Sequence, residues 1–180
     1  GRMRAAAVQP DGVAYTGVIG ACAKAGLASE AAAWLGKMES VGIQPDDVAH
    51  HSVINAYAQQ GRVEEVAAQL RKMQAAGVEP LAASFNSAIH ACAKASRSQE
   101  AVQWLGRMEA AGRRPDVISY TSVIRACLAW PQEGGQREAE RLFHRMLDST
   151  VQPDAPLMRL VVRRLGGERL RHPHLRPEAY

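Results

Sequence analysis

The stretch Gly42–Asp47, GIQPDD, has the chemistry of a junction between two helices. Gly can close a helix in the left-handed conformation, Pro cannot extend one, and an acid suits the start of the next. The same pattern stands as GVEPLA at 77–82, as GRRPDV at 112–117 and as AVQPDG at 7–12, each 35 residues from the next. An isolated turn has no reason to keep time. The register extends well beyond the junction. Met3, Met38, Met73 and Met108 share it, and Met146 follows after 38 residues. Ile19, Ile54, Ile89 and Ile124 keep it, as do Ala21, Ala56, Ala91 and Ala126. So do Glu30, Glu65 and Glu100, with Glu138 joining once three extra residues are allowed. A fixed period of this length is the signature of stacked structural repeats.

The period divides the chain into four units, 12–46, 47–81, 82–116 and 117–154. The tail of a preceding unit occupies 1–11, and 155–180 reads as a capping helix followed by a Pro-interrupted, frayed tail. Each unit carries helical periodicity twice. Tyr15, Val18, Ile19 and Cys22 recur at three and four residues before Gly26, and Val53, Ile54 and Tyr57 do the same before Gly61. A second amphipathic run follows, with Leu35 and Met38, or Leu70 and Met73, on one face. Gly42, Gly77 and Gly112 then end the second helices, with Ile43 and Val78 placed to pack back as in a Schellman end. One such hairpin cannot hide its apolar face alone, so neighbours must stack, and the expected fold is an all-α superhelix. In the fourth unit, the junction Leu128–Gln136 is expected to absorb the three extra residues as a loop broken by Pro131 and Gly134–Gly135. Thr150, where the other units have Gly, predicts a looser helix end.

Composition agrees with thin helical layers. Apolar residues make up 47% of the 180, but aromatics only 5%, so burial falls to small and aliphatic side chains. The formal charge of +4 permits a polyanionic partner without demanding one. No apolar run approaches a membrane span, so no membrane partner is expected. Three cysteines with no CxxC pair argue against a disulfide framework or a zinc ribbon and point to reduced, buried thiols. The opening GRMRAAAVQP has a faint likeness to an Arg- and Ala-rich targeting peptide, but it aligns with later repeats and is read as structure.

The 35-residue period, the openings VAYTGVIGACAKAG and AASFNSAIHACAKAS, the late Met and the closing Gly-x-x-Pro-Asp resemble the pentatricopeptide repeat family over roughly 3–154. The tetratricopeptide repeat, with a 34-residue period and a W-x-x-L-G-x-x-Y opening, fits less well. The resemblance implies a right-handed α-α superhelix of helix-turn-helix repeats. It also implies sequence-specific binding of single-stranded RNA, about one base per repeat, with apolar side chains stacking on bases and polar ones choosing them.

In the family the base is chosen chiefly by the fifth residue of the repeat together with its last. Carried over, Thr16 with Asp46 favours G, and His51 with Leu81 matches no common pair. Asn86 with Asp116 favours U, and Thr121 with Asp154 favours G. With the strand parallel to the protein, the expected reading is 5′-G-N-U-G-3′. Val13, Val48, Ala83 and Ile118, each second in its repeat, resemble the apolar wedge between bases, with Ala83 the smallest. Lys24 and Lys94 stand near first-helix ends, where a cation suits both the helix dipole and a phosphate. Plainer readings stand beside these. The Asp residues are also good helix caps, Thr16 and Thr121 ordinary first-turn residues, His51 a filler, and the lysines simple helix-end charges.

No P-loop, GxSxG or HExxH pattern occurs, nor H-x-E with a later C-x-x-C, so no enzyme activity, metal or cofactor is expected. His172-Pro-His174 lies in the Pro-broken tail without a Cys or carboxylate cluster. The resemblance further implies a monomer serving organellar RNA processing, stability, editing or translation, in the chloroplast before the mitochondrion, with other RNA-processing proteins as partners. Four complete units read few bases, so a longer parent array is expected. The alternative class is a helical-repeat scaffold for a protein or peptide.

Overall fold

The computed structural model describes residues 10–129 and 133–166. Among them are nine α-helices: α1 (Gly12–Lys24), α2 (Ala28–Ser40), α3 (Asp47–Gln59), α4 (Val63–Ala75), α5 (Ala82–Lys94), α6 (Ser98–Ala110), α7 (Val117–Ala129), α8 (Glu133–Asp148) and α9 (Ala155–Leu165). The helix α1 and its counterparts α3, α5 and α7 start 35 residues apart, and so do α2, α4, α6 and α8. None of the nine is long and apolar enough to cross a membrane. The N-terminal segment 1–9 and the tail from 167, including the His-Pro-His stretch, lie outside the described residues.

The same few positions build every core layer. Ile19, Ile54, Ile89 and Ile124 are completely buried, and Met38, Met73, Met108 and Met146 nearly so. Each such side chain contributes roughly 1.5–3 kcal/mol by leaving water. Ala31, Val66, Ala101 and Ala139 are also fully buried, and these short side chains let the helices approach closely. An aromatic ring fills the fourth position of three units, Tyr15, Phe85 and Tyr120. His50 takes that place in the second. It is fully buried, with Nδ1 2.8 Å from the buried Gln69 amide, which donates to it. Nε2 then carries the proton and has no hydrogen-bond partner among the described residues. Burial chiefly depresses the His50 pKa, with Lys72 adding to the effect and Glu39 and Asp46 opposing it.

The chain packs as two compact units, Gly1–Ser87 and Ala88–Tyr180, with the boundary inside α5. In the first, α1–α2 and α3–α4 are helical hairpins, and α3 packs against both α1 and α2. Successive junctions are tied together there: Gln60 donates to the Gly26 carbonyl at 2.6 Å, and Arg62 to the Ser29 hydroxyl at 2.9 Å. In the second, α7 packs on α6 and α8, and α9 packs on α7 and α8. On α9, Arg159, Arg163 and Arg164 are exposed and Leu157, Met158, Val161 and Leu165 buried.

The junctions close as Schellman ends. At Gly42 φ is +80°, and Ile43 N–H donates to the Met38 carbonyl at 3.1 Å, with the same bond running from Val78 to Met73 and from Arg113 to Met108. Two expectations are corrected. Thr150 does not loosen its helix end: it takes φ +63°, and Val151 N–H still reaches the Met146 carbonyl at 3.2 Å. The neighbouring contacts impose the left-handed turn on a β-branched residue at a cost of roughly 1–2 kcal/mol. Nor do the three extra residues enlarge the α7–α8 junction. Gly134 and Gly135 lie in the first turn of α8, which has 16 residues against 13 in α6. Glycine keeps its backbone N–H and so breaks no ladder, and its cost in a helix is backbone entropy of roughly 1 kcal/mol relative to Ala. Val53 is fully buried, on the helix α3 that lies against both α1 and α2.

Candidate nucleic-acid interface

Residues two, five and nine of a helix lie on one face, because three- and four-residue steps bring side chains back above one another. On each first helix no residue of this face is fully buried, whereas positions four and eight are buried in every unit. This face therefore carries whatever the sequence places there.

In the first compact unit, Val13 is 80% exposed at the start of α1, one turn before the half-buried Thr16. Val48 is 54% exposed at the start of α3, one turn before the half-buried His51. Ala83 and Asn86 repeat this order on α5, exposed and half-buried respectively. Burial depresses the His51 pKa, against an opposing pull from Asp47, so the ring is neutral near pH 7. Its Nδ1 stands 3.5 Å from the Ser84 hydroxyl, at the outer limit of a hydrogen bond. In the second compact unit, Ile118 is 62% exposed one turn before the half-buried Thr121. The Thr121 hydroxyl has no hydrogen-bond partner among the described residues. Val13, Val48 and Ile118 are the three most exposed of the large apolar side chains described.

The junction acids all cap helices. Asp11, Asp46 and Asp154 each accept a 2.8 Å bond through Oδ1 from the backbone amide three residues on, namely Ala14, Ala49 and Leu157. Asp116 accepts from Ser119 N–H at 2.8 Å, and the Ser119 hydroxyl lies 3.1 Å from Asp116 N–H, giving a reciprocal box. The capping reading is therefore realised at every acid. It engages one carboxylate oxygen and leaves Asp46 and Asp154 exposed. Leu81 has no side-chain acceptor, yet α5 starts there all the same, with Ser84 and Phe85 N–H reaching the Leu81 carbonyl at 3.0 and 3.4 Å. Lys24 and Lys94 are exposed at the last residues of α1 and α5.

One residue on this face was not picked out from the sequence. Arg125, one turn beyond Thr121 on α7, is exposed. Its signal was the four-residue spacing itself. Cys92 and Cys127 are buried as expected, Cys22 is half-buried, and none of the three is in a disulfide. Burial, helped by Glu138, pushes the Cys127 pKa up to about 11. No group of three or more His, Cys, Asp or Glu suited to a metal ion occurs among the described residues.

The pentatricopeptide repeat domain family matches residues 2–60, 35–95 and 105–155, and the PPR repeat family matches 80–129. No curated protein sequence matches the chain. Among solved structures, the pentatricopeptide repeat protein PPR10 bound to an 18-nt psaJ RNA element is 28% identical over 89% of this chain, with a TM-score of 0.74. PPR10 from maize is 30% identical over 93% of this chain, with a TM-score of 0.70. This chain spans only 23% of the length of either PPR10 structure. The PPR domain of Arabidopsis thaliana PRORP1 in complex with tRNA, at 18% identity over 81% of this chain and 75% of that one, shares the fold with a TM-score of 0.68. With eight of its nine described helices in 35-residue register and family matches over most of its length, the protein is an all-α helical-repeat superhelix that belongs to the pentatricopeptide repeat family.

Proposed function

We propose that this chain binds single-stranded RNA in a sequence-specific manner, about one base per repeat, through the second and fifth residues of the first helices. The observation that carries the reading is the recurring pair of a highly exposed apolar side chain, Val13, Val48 or Ile118, with a half-buried polar one a turn later, Thr16, His51 or Thr121. Leaving large aliphatic side chains in water at a fixed register has no folding benefit. Stacking on the face of an unpaired base gives them one, and the adjacent polar group then meets the Watson–Crick edge. RNA-bound relatives of the same fold support the reading. In this reading Thr16 with Asp46 selects G, Asn86 with Asp116 selects U and Thr121 with Asp154 selects G, while His51 with Leu81 leaves its base unassigned. Lys24 and Lys94 contact phosphates.

The same family likeness supports a role in organellar RNA processing, stability, editing or translation, by binding and not by catalysis, with chloroplast before mitochondrion. The protein acts as a monomer, alongside other RNA-processing proteins. Selection from randomised RNA should enrich G-N-U-G, and Asn86→Thr should move the third base from U towards G. Affinity should fall as salt rises, because phosphate contacts release counterions. A peptide-binding scaffold would show neither the enrichment nor the salt slope, and selection without enrichment would end the RNA reading.

A further inference from the structure

The reading row does not stop at the fourth repeat. Asp154 caps α9 through a 2.8 Å bond from Leu157 N–H, as Asp11 and Asp46 cap α1 and α3, so the register of the first helices continues into α9. Counting from the cap, Arg159 takes the place held by Thr121 on α7, and Arg163 that held by Arg125. Within the second compact unit α9 packs on both α7 and α8, the relation that α3 has to α1 and α2 in the first. Its buried side is Leu157, Met158, Val161 and Leu165, which leaves Arg159 and Arg163 exposed one turn apart.

Four arginines elsewhere in the chain are held in ion pairs. Arg62, Arg97 and Arg141 are paired with Glu65, Glu100 and Glu138, each at three-residue spacing, and Arg145 with Glu109. All four pairs lie on second helices or the junctions leading into them. Arg125, Arg159 and Arg163, on first-helix register, form no ion pair among the described residues. On α7 and α9 the exposed guanidiniums of Arg125, Arg159 and Arg163 are thus left without an acid among the described residues.

We infer that Arg159 and Arg163 of α9, with Arg125 of α7, form a phosphate-binding extension of the RNA path that holds the strand just 3′ of the nucleotide facing Thr121. This rests on the RNA-binding reading above and on its parallel strand polarity. The ligand is the phosphodiester backbone. Base choice in the repeats falls to single half-buried groups, whereas exposed guanidiniums one turn apart track a chain of charges. Lengthening the RNA on its 3′ side therefore adds affinity without adding sequence preference.

The test uses the full chain and three RNAs: a GUUG core, the core with a 3′ oligouridine and the core with a 5′ oligouridine. The wild type should bind the 3′-extended RNA more tightly than the core, and Arg159→Gln/Arg163→Gln should lose that gain. For the 3′-extended RNA alone, the double variant should flatten the slope of log affinity against log salt by about 1.4, or about sevenfold over a fourfold rise in salt. The corresponding double Lys variant should retain the slope. Circular dichroism should be unchanged, since both side chains are solvent-facing. Equal slopes for wild type and the Gln variant would overturn the inference while leaving the repeat reading intact. A 3′ gain that depends on which base follows the core would overturn it in favour of base recognition. Absence of binding to all three RNAs by the wild type would remove the RNA reading itself.

Discussion

Asp46 caps α3 and is proposed to read a base, and one pair of substitutions separates the two. Its Oδ1 accepts the Ala49 amide at 2.8 Å, so Asp46→Ala leaves that donor uncapped and should cost about 1 kcal/mol of stability. Asn caps about as well as Asp, so Asp46→Asn should stay within a few tenths of a kcal/mol of the wild type. Away from the cap, however, the substitution can replace a carboxylate acceptor with an amide donor on the exposed side. If Asp46 also helps Thr16 choose the first base, discrimination there should fall. A base-edge match contributes on the order of 1–3 kcal/mol, so the loss would be about 5- to 150-fold in preference for G. Urea denaturation gives the first quantity, and competition binding among four RNAs that differ only at the first base gives the second. Asp46→Asn with unchanged base discrimination would refute the reading role, and Asp46→Ala with unchanged stability would refute the cap energetics. Leu81 is a natural control, because its helix starts without a side-chain cap.

Two further predictions concern the fold. His50 and His51 both have pKa values depressed chiefly by burial, so the unfolded chain takes up protons that the folded one does not. Their contribution to stability is complete above the ordinary histidine pKa of about 6.5 and is lost as pH falls below it; His50→Phe should flatten part of that decline in denaturation midpoints measured from pH 8 to 5. Thr150→Gly should stabilise the chain by about 1 kcal/mol in urea denaturation, because it relieves a β-branched residue at φ +63° that keeps the Schellman bond.

Much of this protein is legible along the chain because each hairpin is built from local rules. Tyr15, Ile19, Leu35 and Met38 declare two helical faces by spacing, and the Gly-x-x-Pro-Asp junction states where one helix ends and the next begins. The candidate base-contact residues are legible by register too. Val13 and Thr16 recur as Val48 and His51, and Ile118 and Thr121, although their exposure is not itself written in the residue types.

What the sequence by itself determined was therefore the repeat: its period, its two helices, its caps and the face left over from the core. Tertiary structure decided what depends on a neighbour. Val53 is fully buried on a helix, α3, that packs against both helices of the preceding hairpin, α1 and α2. Gly134 and Gly135 look like loop residues, but they lie in the first turn of α8 despite the entropic cost of glycine in a helix. Thr150 is held in a left-handed turn that its own preference opposes. Local propensities amount to about a kcal/mol per residue, and the packing of a whole helix against its neighbours outweighs them.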